Sequence, residues 1–296
     1  MAEPLIYAHF WTLQPIMSVI EAARFAARER FSGLEIPCDP LDFWPGEIPA
    51  ATFEVLAAIR NGEGLSYALY AHAEINPAAR DAEQRRANEE MVRRAIETAV
   101  ALSSPVLCLH PGIASELSLL ERQGMPYETR RFNRAEIRRN GWTRAVDAIA
   151  GWAELAAQAD LTLVVENEVH TKYTVAPRAE DLASMIEAVG RPNVRVNFDT
   201  GHAFVGAGLH EELNILEPYV AHVHLNDNAT RRSDHLPLGE GVVAFHSIAP
   251  FLAGLNGILS LEIYAPDRPV EATLRSRNYL LDVIAKAGPG RAETES

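Results

Sequence analysis

The chain has 296 residues, 48% hydrophobic and 23% charged, enough apolar material for one large α/β domain or two smaller ones. Its formal net charge of −13 disfavours a nucleic-acid partner, because such affinity comes largely from neutralising phosphates. Two cysteines without paired spacing, Cys38 and Cys108, argue against a disulfide scaffold, and both are read as buried thiols. No basic segment precedes an apolar one at the start, and no apolar run approaches the ~20 residues of a membrane span, so a soluble, cytoplasmic protein is expected.

In chain order, Leu5–Phe10 reads as a strand and Ile16–Arg30 as a helix. Gly33–Pro37 is a second strand, stopped by proline, and 40–49 a loop carrying Phe43 and Trp44. Ala50–Asn61 is a helix ending at Gly62 or Gly64, and Leu65–Ala71 a third strand ending at His72. Pro77 opens a long helix to Leu102, and Pro105–Leu109 is a fourth strand ending at His110-Pro111-Gly112. Residues 113–132 lack periodicity and read as a long connection, a candidate active-site lid. Asn133–Ala159 is helical and contains Trp142 and Trp152. The fifth strand is 161–165, followed by a helix over Pro177–Val189 and a sixth strand at Val194–Phe198. A short helix over Leu209–Leu216, a seventh strand at Val220–Leu225 and a long loop over Asn226–Val243 come next. A short helix over Phe245–Ala253, an eighth strand at Ile258–Leu261 and a helix over Val270–Ala287 complete the pattern. The stretch 288–296 reads as a disordered polar tail.

Eight strands alternating with helices, with no internal boundary, predict a single (β/α)₈ barrel over residues 1–287. A doubly wound sheet is disfavoured because no glycine-rich phosphate loop follows the first strand. Four apolar strands end abruptly in a polar group: Glu166, Asp199, His224 and Glu262. They are separated by 33, 25 and 38 residues (166 to 199, 199 to 224, 224 to 262), each about one βα unit. In a closed parallel barrel all such ends meet on one rim. Three carboxylates there repel one another unless a cation joins them, and three oxygens with one imidazole suit Mn²⁺, Mg²⁺ or Co²⁺. His72, His110 and His202 share that rim, while His9, His210 and His246 are read as structural. His222 is read as facing away from His224, and Glu35 and Glu168 as possible supports. Trp11, Phe43 and Trp44 are candidate walls of a sugar pocket, with core packing as the alternative.

The strings His110-Pro111-Gly112, Val165-Glu166-Asn167, Phe198-Asp199-Thr200-Gly201-His202, His222-Val223-His224-Leu225-Asn226-Asp227 and Leu238-Gly239-Glu240-Gly241 occur in that order. Together they resemble the xylose isomerase-like TIM-barrel superfamily, which holds sugar (phosphate) isomerases and epimerases, inosose dehydratases and endonuclease IV. The resemblance runs from about residue 5 to 285. It implies a metal held by Glu166, Asp199, His224 and Glu262, with His202 on substrate oxygens, as in the sugar epimerases. The endonuclease branch has further zinc ligands that match His72, His110, His202 and His235. Its remaining aspartate position is Ser233 here, with Asp234 one place off, which departs from a trinuclear zinc pattern. A second glutamate that ketose epimerases carry after the fifth strand is also missing, Lys172 and Tyr173 lying near that place.

The reaction expected is proton abstraction beside a carbonyl through an enediolate, in a sugar, ketose or polyol ketone, with one divalent metal, Mn²⁺ first. Glu166 and Glu262 form the acid–base pair. His72, His110, His202 and His235 contact substrate, Trp44 walls the pocket, and Arg231 and Arg232 are candidate phosphate contacts, a solvated loop being the alternative. Epimerisation, isomerisation and dehydration of an oxo-sugar or inosose all pass through the same intermediate. The alternatives are a zinc-dependent abasic-site nuclease and a sugar-binding barrel without catalysis. A carbohydrate is the expected partner, with no membrane; relatives often form homo-oligomers.

Overall fold

The computed structural model describes residues 3–38, 48–71, 74–117, 127–169 and 173–287. Eight parallel strands pair in chain order and close into a barrel: β1 (Leu5–His9), β2 (Gly33–Pro37), β3 (Ser66–Tyr70), β4 (Val106–Leu109), β5 (Thr162–Glu166), β6 (Val194–Asp199), β7 (Val220–His224) and β8 (Ile258–Leu261). Closure is made by β8 on β1, with Tyr7 opposite Ser260 and Ala8 opposite Leu261. This is the single (β/α)₈ barrel that the strand pattern predicts.

Side chains alternate along each strand, so one set enters the barrel and the other packs against the helices. The lower interior is filled by Tyr7, Ala68, Val106, Cys108, Val164 and Ile258, and both cysteines are buried thiols. Gly33 has no side chain because Tyr7 takes the space: a Cβ there would lie 2.4 Å from the tyrosine ring. The outward set, including Leu34, Ile36, Leu69, Leu107, Leu163, Val165 and Val196, joins the helices in the main apolar core.

Those helices are α1 (Phe10–Leu13), α2 (Val19–Arg28), α3 (Ala50–Glu63), α4 (Ala82–Leu102), α5 (Tyr127–Ala157), α6 (Ala179–Val189), α7 (Thr200–Val205), α8 (Leu209–Leu216), α9 (Ala249–Gly254) and α10 (Pro269–Lys286). Among the described residues no helix is long and apolar enough to cross a membrane.

Several boundaries differ from the sequence expectation for local reasons. The helix expected over Ile16–Arg30 starts later, where Ser18 and Glu21 form a capping box, and a separate turn, α1, begins directly after β1. The long helix begins not at Pro77 but after Asp81, whose carboxylate accepts from Glu83 N (2.9 Å) and Gln84 N (3.0 Å). Helix α5 reaches back to Tyr127, so the last part of the expected connection is helical. Residues 118–126 of that connection and the tail 288–296 lie outside the described residues. Helix α7 was not expected: Asp199 ends β6 and caps it, accepting from His202 N at 2.7 Å.

Candidate active site

Strands β5, β6 and β7 deliver Glu166, Asp199 and His224 to the carboxyl-terminal rim, and Glu262 follows β8 directly. One ligand atom from each lies within 4.8 Å of the others. Glu166, Asp199 and His224 are fully buried, while Glu262 keeps 8% of its surface. The four residues predicted from strand ends are therefore brought together.

The ring of His224 shows how the centre is supported. Its Nε2 lies 3.2 Å from both oxygens of Glu35, and Nε2 of His222 lies 3.0 Å from Glu35 Oε2. A carboxylate only accepts, so both rings carry their proton on Nε2. Nδ1 of His224 faces Glu262 Oε2 (3.2 Å) and Glu166 Oε1 (3.4 Å). Burial opposes charge on this ring, but Glu35, Glu262 and Glu166 raise it well above the ordinary imidazole range. Neither His224 Nδ1 nor Glu166 Oε1 has a hydrogen-bond partner, although both are buried. A proton or a cation must lie between this nitrogen and the carboxylates, and the four residues could hold a divalent metal. A second possible grouping, His9, Glu35 and His224, fits less well, because His222 and His224 already engage Glu35. His222 corrects the sequence reading: residues two apart on a strand face the same side, and its ring enters the barrel beside His224 (ring centroids 5.1 Å apart). His9, read as structural, also borders the centre, its Nε2 4.0 Å from Glu262 Oε1.

The carboxylate of Asp199 is fixed from two sides, by His202 N and by the amide of Asn226 (2.8 Å). Asn167, next to Glu166, holds the β5 and β6 ends together: its Oδ1 accepts from Asp199 N (2.6 Å) and its amide donates to Asp199 O (3.1 Å). The same amide donates to Glu212 (3.2 Å) on α8, a buried carboxyl that also accepts from Ala207 N (3.1 Å). Burial pushes Glu212 up to about 7.

On the β3–β4 side a chain of polar contacts reaches Glu166. Tyr70 donates its hydroxyl hydrogen to Glu166 Oε2, and His110 Nε2 lies 2.9 Å from the same hydroxyl. His110 Nδ1 pairs with Glu168. Burial opposes charge on His110, but Glu168 and Glu166 outweigh it and raise the ring to about 9. His202 is also raised to about 9, since Asp199 and Glu166 overcome its burial. Burial and the neighbouring Glu166 push Tyr70 well above its ordinary range, so it acts as a neutral donor. Burial raises Glu35, yet the imidazoles of His222 and His224 pull it well below the carboxylate range. The raised imidazoles of His110 and His202 thus offset part of the carboxylate charge.

The loop after β7 is organised by Asp227. Its Oδ1 accepts from Asn228 N and Val243 N (both 2.9 Å), and its Oδ2 from Gly239 N (2.9 Å) and Gly241 N (3.0 Å). The two sequence strings around 222–227 and 238–241 are thus halves of one turn. It brings His235 to the centre, with Nδ1 donating to Glu262 O at 3.1 Å. Trp11 stacks on the half-exposed Tyr264 (5.4 Å, 26°) and meets the edge of His235 (5.4 Å), forming an aromatic wall. His202 donates from Nδ1 to Asn167 O (2.9 Å) and lies 3.5 Å from Glu166 Oε1. Arg231 and Arg232 are exposed and are not among the groups meeting at the carboxylates. His72, Phe43, Trp44 and Lys172 lie outside the described residues.

Sequence reasoning missed Tyr70 and gave no site role to Glu212. Tyr70 was findable, because it lies two residues before His72 on the inward face of β3. Glu212 gave no signal, being one of two adjacent acids on a short helix.

The comparisons agree with this architecture. A solved structure described as a D-tagatose 3-epimerase-like protein aligns with a TM-score of 0.76 at 22% identity, covering 95% of this chain and 97% of that one. The 3-keto-D-glucoside 4-epimerase YcjR from E. coli aligns with a TM-score of 0.74 at 16% identity, covering 95% and 100%. At these identities the likeness is one of fold. An uncharacterised protein of Methanocaldococcus jannaschii, MJ1311, is 24% identical over 275 residues, 91% of this chain and 86% of that protein. The family model for the xylose isomerase-like TIM barrel matches residues 23–283. That match spans most of the chain, which belongs to the xylose isomerase-like TIM-barrel family.

Proposed function

We propose that this protein is a divalent-metal-dependent isomerase or epimerase of a sugar, ketose or polyol ketone. The observation that carries this reading is the pair of carboxylates, Glu166 and Glu262, flanking Nδ1 of His224 at 3.4 and 3.2 Å. A divalent metal held by Glu166, Asp199, His224 and Glu262 would polarise a carbonyl and acidify the adjacent C–H, and the oxygen-rich set suits Mn²⁺, Mg²⁺ or Co²⁺.

The protein's own groups divide the remaining work. The Glu262 side chain is 10% exposed and that of Glu166 only 1%, so Glu262 is the more open to substrate and is assigned proton removal. Glu166, steadied by Tyr70, is the partner that returns the proton. Return to the opposite face of the same carbon gives an epimer; return to the neighbouring carbon gives an isomer. His202 and His235, at the rim beside these carboxylates, and the cationic His110 hydrogen-bond substrate oxygens. The aromatic wall of Trp11 and Tyr264 packs on the sugar's C–H face.

The test is product analysis by NMR after incubation of the metal-loaded protein with a panel of ketoses and inososes. An epimer or aldose product, lost on chelation and restored by Mn²⁺, is expected. Cleavage of abasic DNA by protein holding two or three zinc ions would contradict the reading.

A further inference from the structure

Two backbone N–H groups of the string Leu238-Gly239-Glu240-Gly241 go to Asp227, while its one charged side chain reaches the segment after β8. Glu240 Oε1 accepts from Arg268 Nη1 (2.9 Å) and Oε2 from Nη2 (2.6 Å). Both bonds are charge-assisted, and the two-pronged match fixes direction as well as charge. Other ions stand farther off: Arg275 is 3.7 Å from Glu240, while Asp267 and Glu271 are 3.9 and 4.0 Å from Arg268. A solvated surface pair contributes little, but here the two side chains are only 25% and 33% exposed.

The same two segments meet again at the proposed centre. His235 O accepts from Tyr264 N (2.6 Å), and His235 Nδ1 donates to Glu262 O (3.1 Å). His235 holds φ +48°, a left-handed conformation that a residue other than glycine keeps where its surroundings impose it. The loop after β7 is therefore tied to the segment after β8 at two points, His235 on the centre and Glu240 outside it. A single tie lets a loop pivot about it, whereas two define its orientation. Contacts to α10 back the outer tie. Leu238 N donates to the buried Ser276 Oγ (3.0 Å), and Gly239 lies against Tyr279, where a Cβ would come within 2.8 Å of the ring.

We propose that Glu240 and Arg268 are positioning residues for His235: their fork locks the loop after β7 to the segment after β8 and so holds the His235 ring beside Glu262. This rests on the proposed function, in which His235 hydrogen-bonds a substrate oxygen. The fork lies outside the centre, and Glu166, Asp199 and His224 take their places from the ends of β5, β6 and β7. Its loss should therefore loosen substrate binding and spare the metal. The effect reaches the aromatic wall as well, since Trp11 meets the edge of His235 and stacks on Tyr264.

The test follows the His235 ring and the kinetics together. In ¹H–¹⁵N NMR spectra of the Mg²⁺-loaded protein, the Nδ1–H of His235 should give a protected signal, assigned by its loss in His235→Gln. Arg268→Ala should broaden or shift that signal, with Mg²⁺ affinity kept within about twofold of wild type. Glu240→Gln, which weakens the fork without removing a side chain, serves as a milder variant should Arg268→Ala not fold. With a ketose or inosose that turns over, Arg268→Ala should raise KM about tenfold and change kcat less. Arg268→Lys, which keeps the charge but not the fork, should recover part of that loss. In a His235→Ala background, Arg268→Ala should cost less than about twofold more, because the ring it positions is gone. An unmoved His235 signal, wild-type KM in a folded variant, or a tenfold loss that persists undiminished without His235 would overturn the inference. The ring signal does not depend on the reaction, so the two readings fail separately. Turnover with an unmoved signal sinks the positioning role alone. A signal lost in Arg268→Ala, with no turnover of any ketose or inosose by wild type, sinks the reaction and leaves the fork's hold on His235.

Discussion

Glu35→Gln probes the support beneath the proposed metal centre. The substitution keeps the size and one acceptor oxygen but puts an NH₂ group against one of two imidazole N–H donors. In the wild-type protein His222 and His224 both donate to Glu35, at 3.0 and 3.2 Å, in fully buried surroundings. A hydrogen bond to a charged group contributes about 1.5–3 kcal/mol, and one of the two rings loses it. If His224 loses it, the ring is free to turn or to place its proton on Nδ1, the atom aimed at Glu166 and Glu262. Loss of such a supporting carboxylate costs about 10–100-fold in metal affinity. Calorimetric titration of metal-stripped protein with Mn²⁺ should show that loss with stoichiometry unchanged, while circular dichroism shows an intact barrel. A folded Glu35→Gln protein binding Mn²⁺ within about twofold of wild type, well under the 1.4 kcal/mol of a tenfold change, would refute the reasoning.

Tyr70→Phe removes the donor to Glu166 Oε2 and should lower turnover more than it raises KM, since the ring and its packing stay; equal effects on both would contradict this. Glu212 has a folded pKa raised from 4.5 to about 7. Protonation therefore favours the fold: this contribution is fully present below 4.5 and is lost as pH rises through 7, a span worth about 3 kcal/mol. Urea unfolding should show that decline, and Glu212→Gln should flatten it; an unchanged slope argues against the assignment. Asp227→Ala leaves four backbone N–H groups without their acceptor and frees the loop that carries His235. A loss of about 3 kcal/mol in stability and faster proteolysis within 228–243 are expected, and wild-type stability would count against a structural role for that carboxylate.

The barrel and the four converging side chains were legible for one physical reason. A parallel strand buried on both faces is an apolar run, so a charge at its end stands out. Glu166, Asp199, His224 and Glu262 all met that condition. The support beneath them was harder to read. Glu35 interrupts a five-residue strand that is buried throughout, and only the closed barrel shows that it faces His222 and His224. Tyr70 resembles an ordinary core aromatic until its hydroxyl is placed at Glu166. Helix boundaries were missed where side chains decide them, as with Asp81 and Asp199, whose carboxylates cap helices that apolar periodicity does not delimit.

In the proposed reaction a carboxylate pair removes a proton beside a carbonyl in a metal-dependent way. Deuterium incorporation from D₂O into a panel of ketoses and inososes, read by NMR with and without metal, tests it most directly. Wild-type protein loaded with Mn²⁺ should incorporate deuterium at the carbon next to the carbonyl, and chelation or Glu262→Gln should abolish this in a folded protein. Exchange that persists in Glu262→Gln, or no metal-dependent exchange with any member of the panel, would contradict the account.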